Sequence, residues 1–216
     1  MVYIKSVLIL LILAAIKASD HVSHNLYISV YYESRCPDSR HFVLRQLKPA
    51  MDLLSSHIML RLVPFGKSKS MDNGYGGFEC QHGPSECLGN MVQSCTLDLM
   101  QSRTDIERVN YVACEMKRYA ATNGDFSCVE KANVSPSKVN ACIASGRGTQ
   151  LQLDAEFYTK LVHPKFIPTI TIDGIFNQKT QDEAQVDLIG TLCAMLKDTT
   201  SCAKYYNNMA LQYILF

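Results

Sequence analysis

The placement of cysteine constrains this chain more than any other feature. Of nine cysteines, six lie between Cys80 and Cys142, two (Cys193 and Cys202) lie near the end, and Cys36 stands apart near the start. So many cysteines imply a disulfide framework formed in an oxidising compartment. The first residues agree, with Lys5, an apolar run from Val7 to Ile16, and small residues at Ala18 and Ser19 before a polar stretch. We read 1–19 as a cleaved signal peptide, 20–203 as one folded domain and 204–216 as a C-terminal tail packing onto it. The apolar run is shorter than the roughly 20 residues a membrane span needs, so a retained N-terminal anchor is the lesser alternative and no span is expected after cleavage. A hydrophobic content of 47% over 216 residues is ample for a core. The formal net charge is +1 with Lys and Arg dispersed, so there is no basic stripe and nucleic acid is not an expected partner.

The odd cysteine count leaves one over. If Cys80, Cys87, Cys95, Cys114, Cys128, Cys142, Cys193 and Cys202 pair among themselves, Cys36 is the free thiol. Alternatively, Cys36 is itself a structural partner or joins two chains. Its context favours the free thiol. Leu26 to Tyr32 alternates and is rich in aromatic and β-branched residues, which predicts a strand. Pro37 suits the first turn of a helix expected to run to about Ser55, with Phe42, Val43, Leu47, Ala50, Leu53 and Leu54 facing the core. A thiol at such a helix start meets unsatisfied backbone N–H groups and the positive end of the helix dipole, both of which favour thiolate. Arg35, Arg40 and His41 would add to this by charge, and Glu33 and Asp38 would oppose it. In a Cys-x-x-Cys site a second sulfur three residues on releases the mixed disulfide, and here that position is Ser39. Its hydroxyl can hydrogen-bond to a thiolate but cannot resolve a disulfide.

Ile58 to Pro64 is expected as a second strand, giving a βαβ unit with Cys36 at the carboxyl end of its first strand, where open α/β sheets place chemistry. A loop follows from Gly66 to about Asn73, extended by Gly74, Gly76 and Gly77. The region from about 66 to 149 reads as an all-helical insertion. Pro84 starts a helix with Leu88, Met91, Val92, Cys95 and Leu99 as its apolar face. Thr104 and Glu107 form a capping box for a helix carrying Ile106, Val109, Ala113, Met116 and Ala120. Ser135-Pro136 opens a short helix ending before Gly146. Beyond the insertion come a helix from Leu151 to Val162 and a strand over Phe166–Gly174 closed by an Asp-Gly turn, with Ile175 and Phe176 as its short partner. A last helix runs from Glu183 to Leu196, and Cys193 and Cys202 can clamp the tail to it.

Cys80, His82 and Cys87 invite a metal reading, but they lack the paired spacing of zinc modules, and the leader makes disulfides the expected state; no metal is expected. His82 and Glu86 are expected to cap or brace the insertion, and Asn90 to be a structural hydrogen-bonder. Asn133-Val134-Ser135 is the only glycosylation sequon, and Pro136 just after it disfavours its use. A saposin-like lipid-binding module would also place six cysteines among helices; the spacings and the flanking strands argue against it.

The run Cys80-Gln81-His82-Gly83-Pro84-Ser85-Glu86-Cys87-Leu88-Gly89-Asn90-Met91-Val92-Gln93-Ser94-Cys95 matches C-Q-H-G-x-x-E-C-x-x-N-x-x-x-x-C at every fixed position. That is the signature of the gamma-interferon-inducible lysosomal thiol reductase family, which the chain also resembles at Tyr31-Tyr32-Glu33-Ser34 and at Ile167-Pro168, over about Leu26 to Cys202. The resemblance implies an α/β chain with a thioredoxin-like fold and a disulfide-rich helical insertion. It also implies reduction of protein disulfides in the endocytic and lysosomal pathway, with Cys36 as nucleophile. Pro168 resembles the cis-proline that this fold sets opposite the active cysteine, where Ile167 backbone groups would pair with an extended substrate; from the residues alone a trans proline is the commoner state.

Two functions follow as expectations. One is a secreted or lysosomal thiol–disulfide oxidoreductase acting on disulfide-containing proteins, its dithiol activity weakened or lost through Ser39. It needs no bound cofactor but an external thiol such as glutathione as cosubstrate. The other is a redox-inactive secreted protein whose scaffold contacts an extracellular protein or cell surface.

Overall fold

The apolar and aromatic run from Leu26 forms a strand buried along nearly its whole length, β1 (Leu26–Tyr32), in a computed structural model that describes residues 25–196 and 199–214. The expected leader, 1–19, lies outside the described residues. β1 is the middle of a three-stranded sheet. β2 (Ile58–Pro64) runs parallel to it, with Leu26 opposite Ile58 and Tyr32 opposite Pro64. β5 (Thr169–Ile172) runs antiparallel on the other side, with Ile28 opposite Ile172.

The crossover from β1 to β2 is helical from Pro37 to Leu54, as expected, but it is not uniform. α1 (Pro37–Phe42) passes through a π-helical turn at Val43–Leu47 into α2 (Lys48–Leu54). Pro49 lies just beyond that turn. A proline ring collides with the carbonyl four residues back and offers no N–H, and widening the preceding turn accommodates both effects.

The loop after β2 contains a small hairpin, β3 (Lys69–Ser70) and β4 (Phe78–Glu79), that its glycines did not announce. The insertion then supplies α3 (Pro84–Leu99), α4 (Asp105–Arg118), α5 (Ser127–Lys131) and α6 (Pro136–Ala144). The Thr104–Glu107 capping box is present at the start of α4. α7 (Arg147–Val162) begins earlier than the expected Leu151, directly after Gly146 at φ 82°.

Three expectations need correction. The Phe166–Gly174 strand is confined to β5, just after the cis Ile167–Pro168 peptide; beyond the Asp173–Gly174 turn only Ile175 bridges back, to Ile172. The single helix from Glu183 to Leu196 is two, α8 (Gln178–Val186) and α9 (Leu188–Leu196), broken at Asp187, whose Oδ1 accepts the Gly190 N–H at 2.9 Å. It is also not the last, since α10 (Thr200–Ile214) follows and absorbs most of the expected tail. The Cys193–Cys202 disulfide and a hydrogen bond from Tyr205 Oη to Asp187 Oδ2 (2.8 Å) fasten α10 to α9.

One apolar core joins sheet and insertion: Ile28, Val30 and Tyr32 share it with Phe42 and Leu54 of the crossover and with Val92, Val112, Met116 and Val139 of the insertion.

Candidate functional site

Cys36 is the residue that caps α1. Its backbone is extended (φ −64°, ψ 123°), its Sγ accepts the Ser39 N–H at 3.5 Å, and its S–H faces the Ile167 carbonyl at 3.7 Å. The other eight cysteines are paired as Cys80–Cys87, Cys95–Cys142, Cys114–Cys128 and Cys193–Cys202, and Cys36 is free. It is only 6% exposed. A sulfur at Ncap takes up one of the N–H groups that a helix start leaves unsatisfied, and it stands in the positive end of the helix dipole.

Ser39 lies on the same turn but does not offer its hydroxyl to the sulfur. Its Oγ accepts the Glu33 N–H at 3.3 Å in a fully buried position. This corrects the expectation of a hydroxyl–thiolate hydrogen bond: the contact to Cys36 comes from the Ser39 backbone. The two neighbouring arginines have partners of their own. Arg35 reaches Ser85 Oγ, and Arg40 donates from Nε to the Met116 carbonyl at 3.0 Å while its guanidinium lies 5.7 Å from the Tyr119 ring centre. The Glu33 carboxylate is buried, with Oε1 accepting the Lys67 N–H at 2.7 Å, and burial raises its pKa above the ordinary value.

The loop that carries Cys36 is held by the insertion. Asn90 Oδ1 accepts the Ser34 N–H (2.9 Å), the Glu86 carbonyl accepts the Ser34 hydroxyl (3.0 Å), and Glu86 Oε2 accepts the Arg35 N–H (3.3 Å). Tyr32 Oη donates to Gln93 Oε1 at 2.8 Å. The expected apolar face of α3 holds at Val92 and Cys95, which enter the core, but not at its two ends. Leu88 and Leu99 are 41% and 40% exposed, whereas Glu86, Asn90, Gln93 and Thr96 are buried. The helix buries a polar face because its neighbour is a loop whose backbone donors need acceptors. Gly89, which the sequence reading passed over, lies on that face: a Cβ there would come within 2.5 Å of Ser34 Oγ and of Thr122 Cγ2. The signal available was helical spacing: Gly89 lies three residues after Glu86 and next to Asn90, both fixed in the signature, and so shares their face of the helix.

The Ile167 carbonyl lies beside Cys36 and the Ile167–Pro168 peptide is cis, whereas Asn133 lies away from the site. It is exposed at φ 55° just beyond α5, on the rim of a cavity of about 760 Å³ lined also by Leu44, Met100 and Lys117, and by none of Cys36, Ser39, Ile167 or Pro168. The Cys80/His82/Cys87 set holds no thiolate, since its two cysteines are bonded to each other.

Comparison with known proteins agrees with this geometry. The sequence profile described as "Gamma interferon inducible lysosomal thiol reductase (GILT)" matches residues 27–133. GILT-like protein 1 of Drosophila melanogaster is 33% identical over 206 residues, spanning 85% of this chain and 80% of the relative. The chain belongs to the gamma interferon inducible lysosomal thiol reductase family. Another GILT relative, the lysosomal thiol reductase of Carassius auratus, is 30% identical, spanning 79% of this chain and 68% of that protein. Among solved structures, oxidised Mtb DsbA superposes with a TM-score of 0.53 at 15% identity, covering 83% of this chain and 89% of that one. Oxidised BdbD of Bacillus subtilis gives 0.50 at 8% identity, covering 78% and 85%. The fold is thus thioredoxin-like with a helical insertion, and GILT membership makes the chain one of the thiol–disulfide oxidoreductases. Among the described residues no helix is long and apolar enough to cross a membrane.

Proposed function

We propose that this chain is a one-cysteine thiol–disulfide oxidoreductase acting on protein disulfides in a secreted or lysosomal setting, with Cys36 as nucleophile and an external thiol in place of a resolving cysteine. The observation that carries the reading is the position of the one free sulfur, capping α1 beside the Ile167 carbonyl.

The Cys36 thiolate attacks one sulfur of a substrate disulfide, forming a Cys36–substrate disulfide and releasing the other substrate sulfur as a thiolate. Ser39 cannot displace it. A first external thiol of the glutathione class attacks the Cys36 sulfur, which frees the reduced substrate and leaves Cys36 bonded to the small thiol. A second external thiol attacks that small-thiol sulfur, giving the oxidised small disulfide and restoring Cys36. Per turn, one substrate disulfide is reduced and two small thiols are oxidised. Backbone groups of Ile167 beside the sulfur suit an extended substrate segment laid alongside it as an added strand.

Cys36→Ala decides the matter. With glutathione present, the native chain is expected to turn over a disulfide substrate and to take up one equivalent of alkylating agent, and the variant to do neither. Turnover surviving in Cys36→Ala overturns the mechanism. No turnover by the native chain at either acidic or neutral pH would favour the second reading, a redox-inactive scaffold that contacts another extracellular protein.

A further inference from the structure

Behind the Cys36 loop, Glu33, His82 and Glu86 converge from the end of β1, the turn before α3 and the first turn of α3. One oxygen from each carboxylate and Nδ1 of His82 lie within 4.8 Å of one another. Both carboxylates are wholly buried, and His82 is 32% exposed, so the cluster opens to solvent on the imidazole side alone.

Its hydrogen bonds do not close. Glu33 Oε1 takes the Lys67 N–H, Glu86 Oε1 takes the His82 N–H (3.0 Å), and Glu86 Oε2 takes the Arg35 N–H. Nδ1 of His82 lies 2.6 Å from Glu86 Oε2 and 3.4 Å from Glu33 Oε2. A ring nitrogen carries at most one proton, and the shorter contact claims it. Glu33 Oε2 is left buried, facing the cluster, with no hydrogen-bond donor. Buried carboxylate oxygens are ordinarily paired or bound to a cation.

We propose that Glu33, His82 and Glu86 bind one divalent cation of the zinc class. One imidazole nitrogen with two carboxylate oxygens is a donor set that zinc accepts, whereas calcium and magnesium prefer oxygen alone. The solvent-facing side leaves a further position for water. The donors are already gathered. The Cys80–Cys87 disulfide closes the turn carrying His82 and Glu86, and Glu33 fills the space that a side chain at Gly66 would need, a Cβ there lying 2.2 Å from Glu33 Cγ. Ligands around a tetrahedral zinc stand about 3.3 Å apart, so uptake of the ion places the ring proton on Nε2, freeing Nδ1 as the ligand, and moves the partly exposed imidazole slightly outward. The bound cation would tie Glu33 to Glu86, and through them brace the Arg35 N–H beside Cys36. The site is independent of any turnover at Cys36.

The test is calorimetric titration of zinc chloride into the untagged, oxidised full chain after chelator treatment, repeated on Cys36→Ala so that the free thiol cannot account for uptake. One zinc per chain is expected in both, with at least tenfold weaker affinity in Glu33→Gln and His82→Ala, and no comparable binding of calcium or magnesium. Cobalt in the native chain should give visible bands of nitrogen and oxygen ligation without thiolate charge transfer, a reading that stands even if the variants fail to fold. Absence of stoichiometric zinc, as expected if Glu33 simply holds a proton, overturns the proposal. So does affinity unchanged in both variants, or a thiolate band with cobalt.

Discussion

Ser39 turns its hydroxyl to the Glu33 N–H, 3.3 Å away, and its own backbone N–H to the Cys36 sulfur at 3.5 Å. The residue in the resolving position thus supports the loop and the thiol without taking part in exchange. Ser39→Cys restores a second sulfur one turn along the helix. It is expected to raise disulfide turnover at limiting glutathione at least tenfold and to shorten the life of mixed disulfides with substrate. Both are read by reductase assay and by non-reducing gels of acid-quenched reactions. A variant that folds, holds two thiols at the site and gains nothing would place the limit elsewhere than at Ser39.

Gly89 is where α3 touches the Cys36 loop. Alanine in a helix is favoured over glycine by about 1 kcal/mol, but here its Cβ would meet Ser34 Oγ and Thr122 Cγ2 at 2.5 Å. Overpacking of this kind typically costs about 1–3 kcal/mol. Gly89→Ala should therefore be destabilised by about 1 kcal/mol net in urea unfolding, and the rate of Cys36 alkylation should change with it because Ser34 is displaced.

Glu115 carries the clearest pH signal. Burial pushes its carboxyl from an ordinary 4.5 up to about 7, against the opposing Ala121 N–H, which Glu115 Oε2 accepts at 2.8 Å. A carboxyl that holds its proton more tightly when folded favours the fold in acid. Its contribution is intact below about 4.5, the unfolded value, and is lost as pH rises through the folded value of about 7. The loss amounts to at most about 3 kcal/mol for a shift of this size. Glu115→Gln, which keeps an acceptor for Ala121, should flatten this dependence. Urea midpoints at pH 5 and pH 8 should differ less in the variant than in the native chain.

The disulfides should not contribute equally. In the loop-closure picture the stabilisation grows with the length closed: about 4 kcal/mol for a bridge spanning some 50 residues, against about 2.5 for one spanning fewer than ten. Cys95–Cys142 spans 47 residues and Cys80–Cys87 spans 7. Replacing both cysteines of each pair by alanine in turn should lower the melting temperature more for Cys95/Cys142, as thermal denaturation would measure.

Much of the architecture was legible because its causes are local. The alternation of Leu26–Tyr32, the proline after Cys36 and the Thr104–Glu107 box each act within a turn or a strand, and the elements they announce are present. The break at Asp187 escaped because no proline marks it and the apolar pattern resumes at once in Leu188, Leu192 and Leu196; the Asp187 side chain that caps the second helix through the Gly190 N–H shows only in the structure. The apolar face assigned to α3 held at Val92 and Cys95 but failed at Leu88 and Leu99 for a different reason. Periodicity records where apolar residues fall, and α3 buries a polar face because a loop distant in sequence needs its acceptors.

For this protein the sequence alone determined the family, the strand-to-helix junction that carries Cys36, and, through the odd count, that one cysteine is left over once the others pair. Only the tertiary structure decided that Cys36 is the one left free, which cysteines join, that the Ser39 hydroxyl turns to Glu33, and that His82 stands between two buried glutamates. The division has a physical basis: caps and periodicities are set by residues a few positions apart, whereas His82 reaches Glu33 only after the insertion closes over the end of β1.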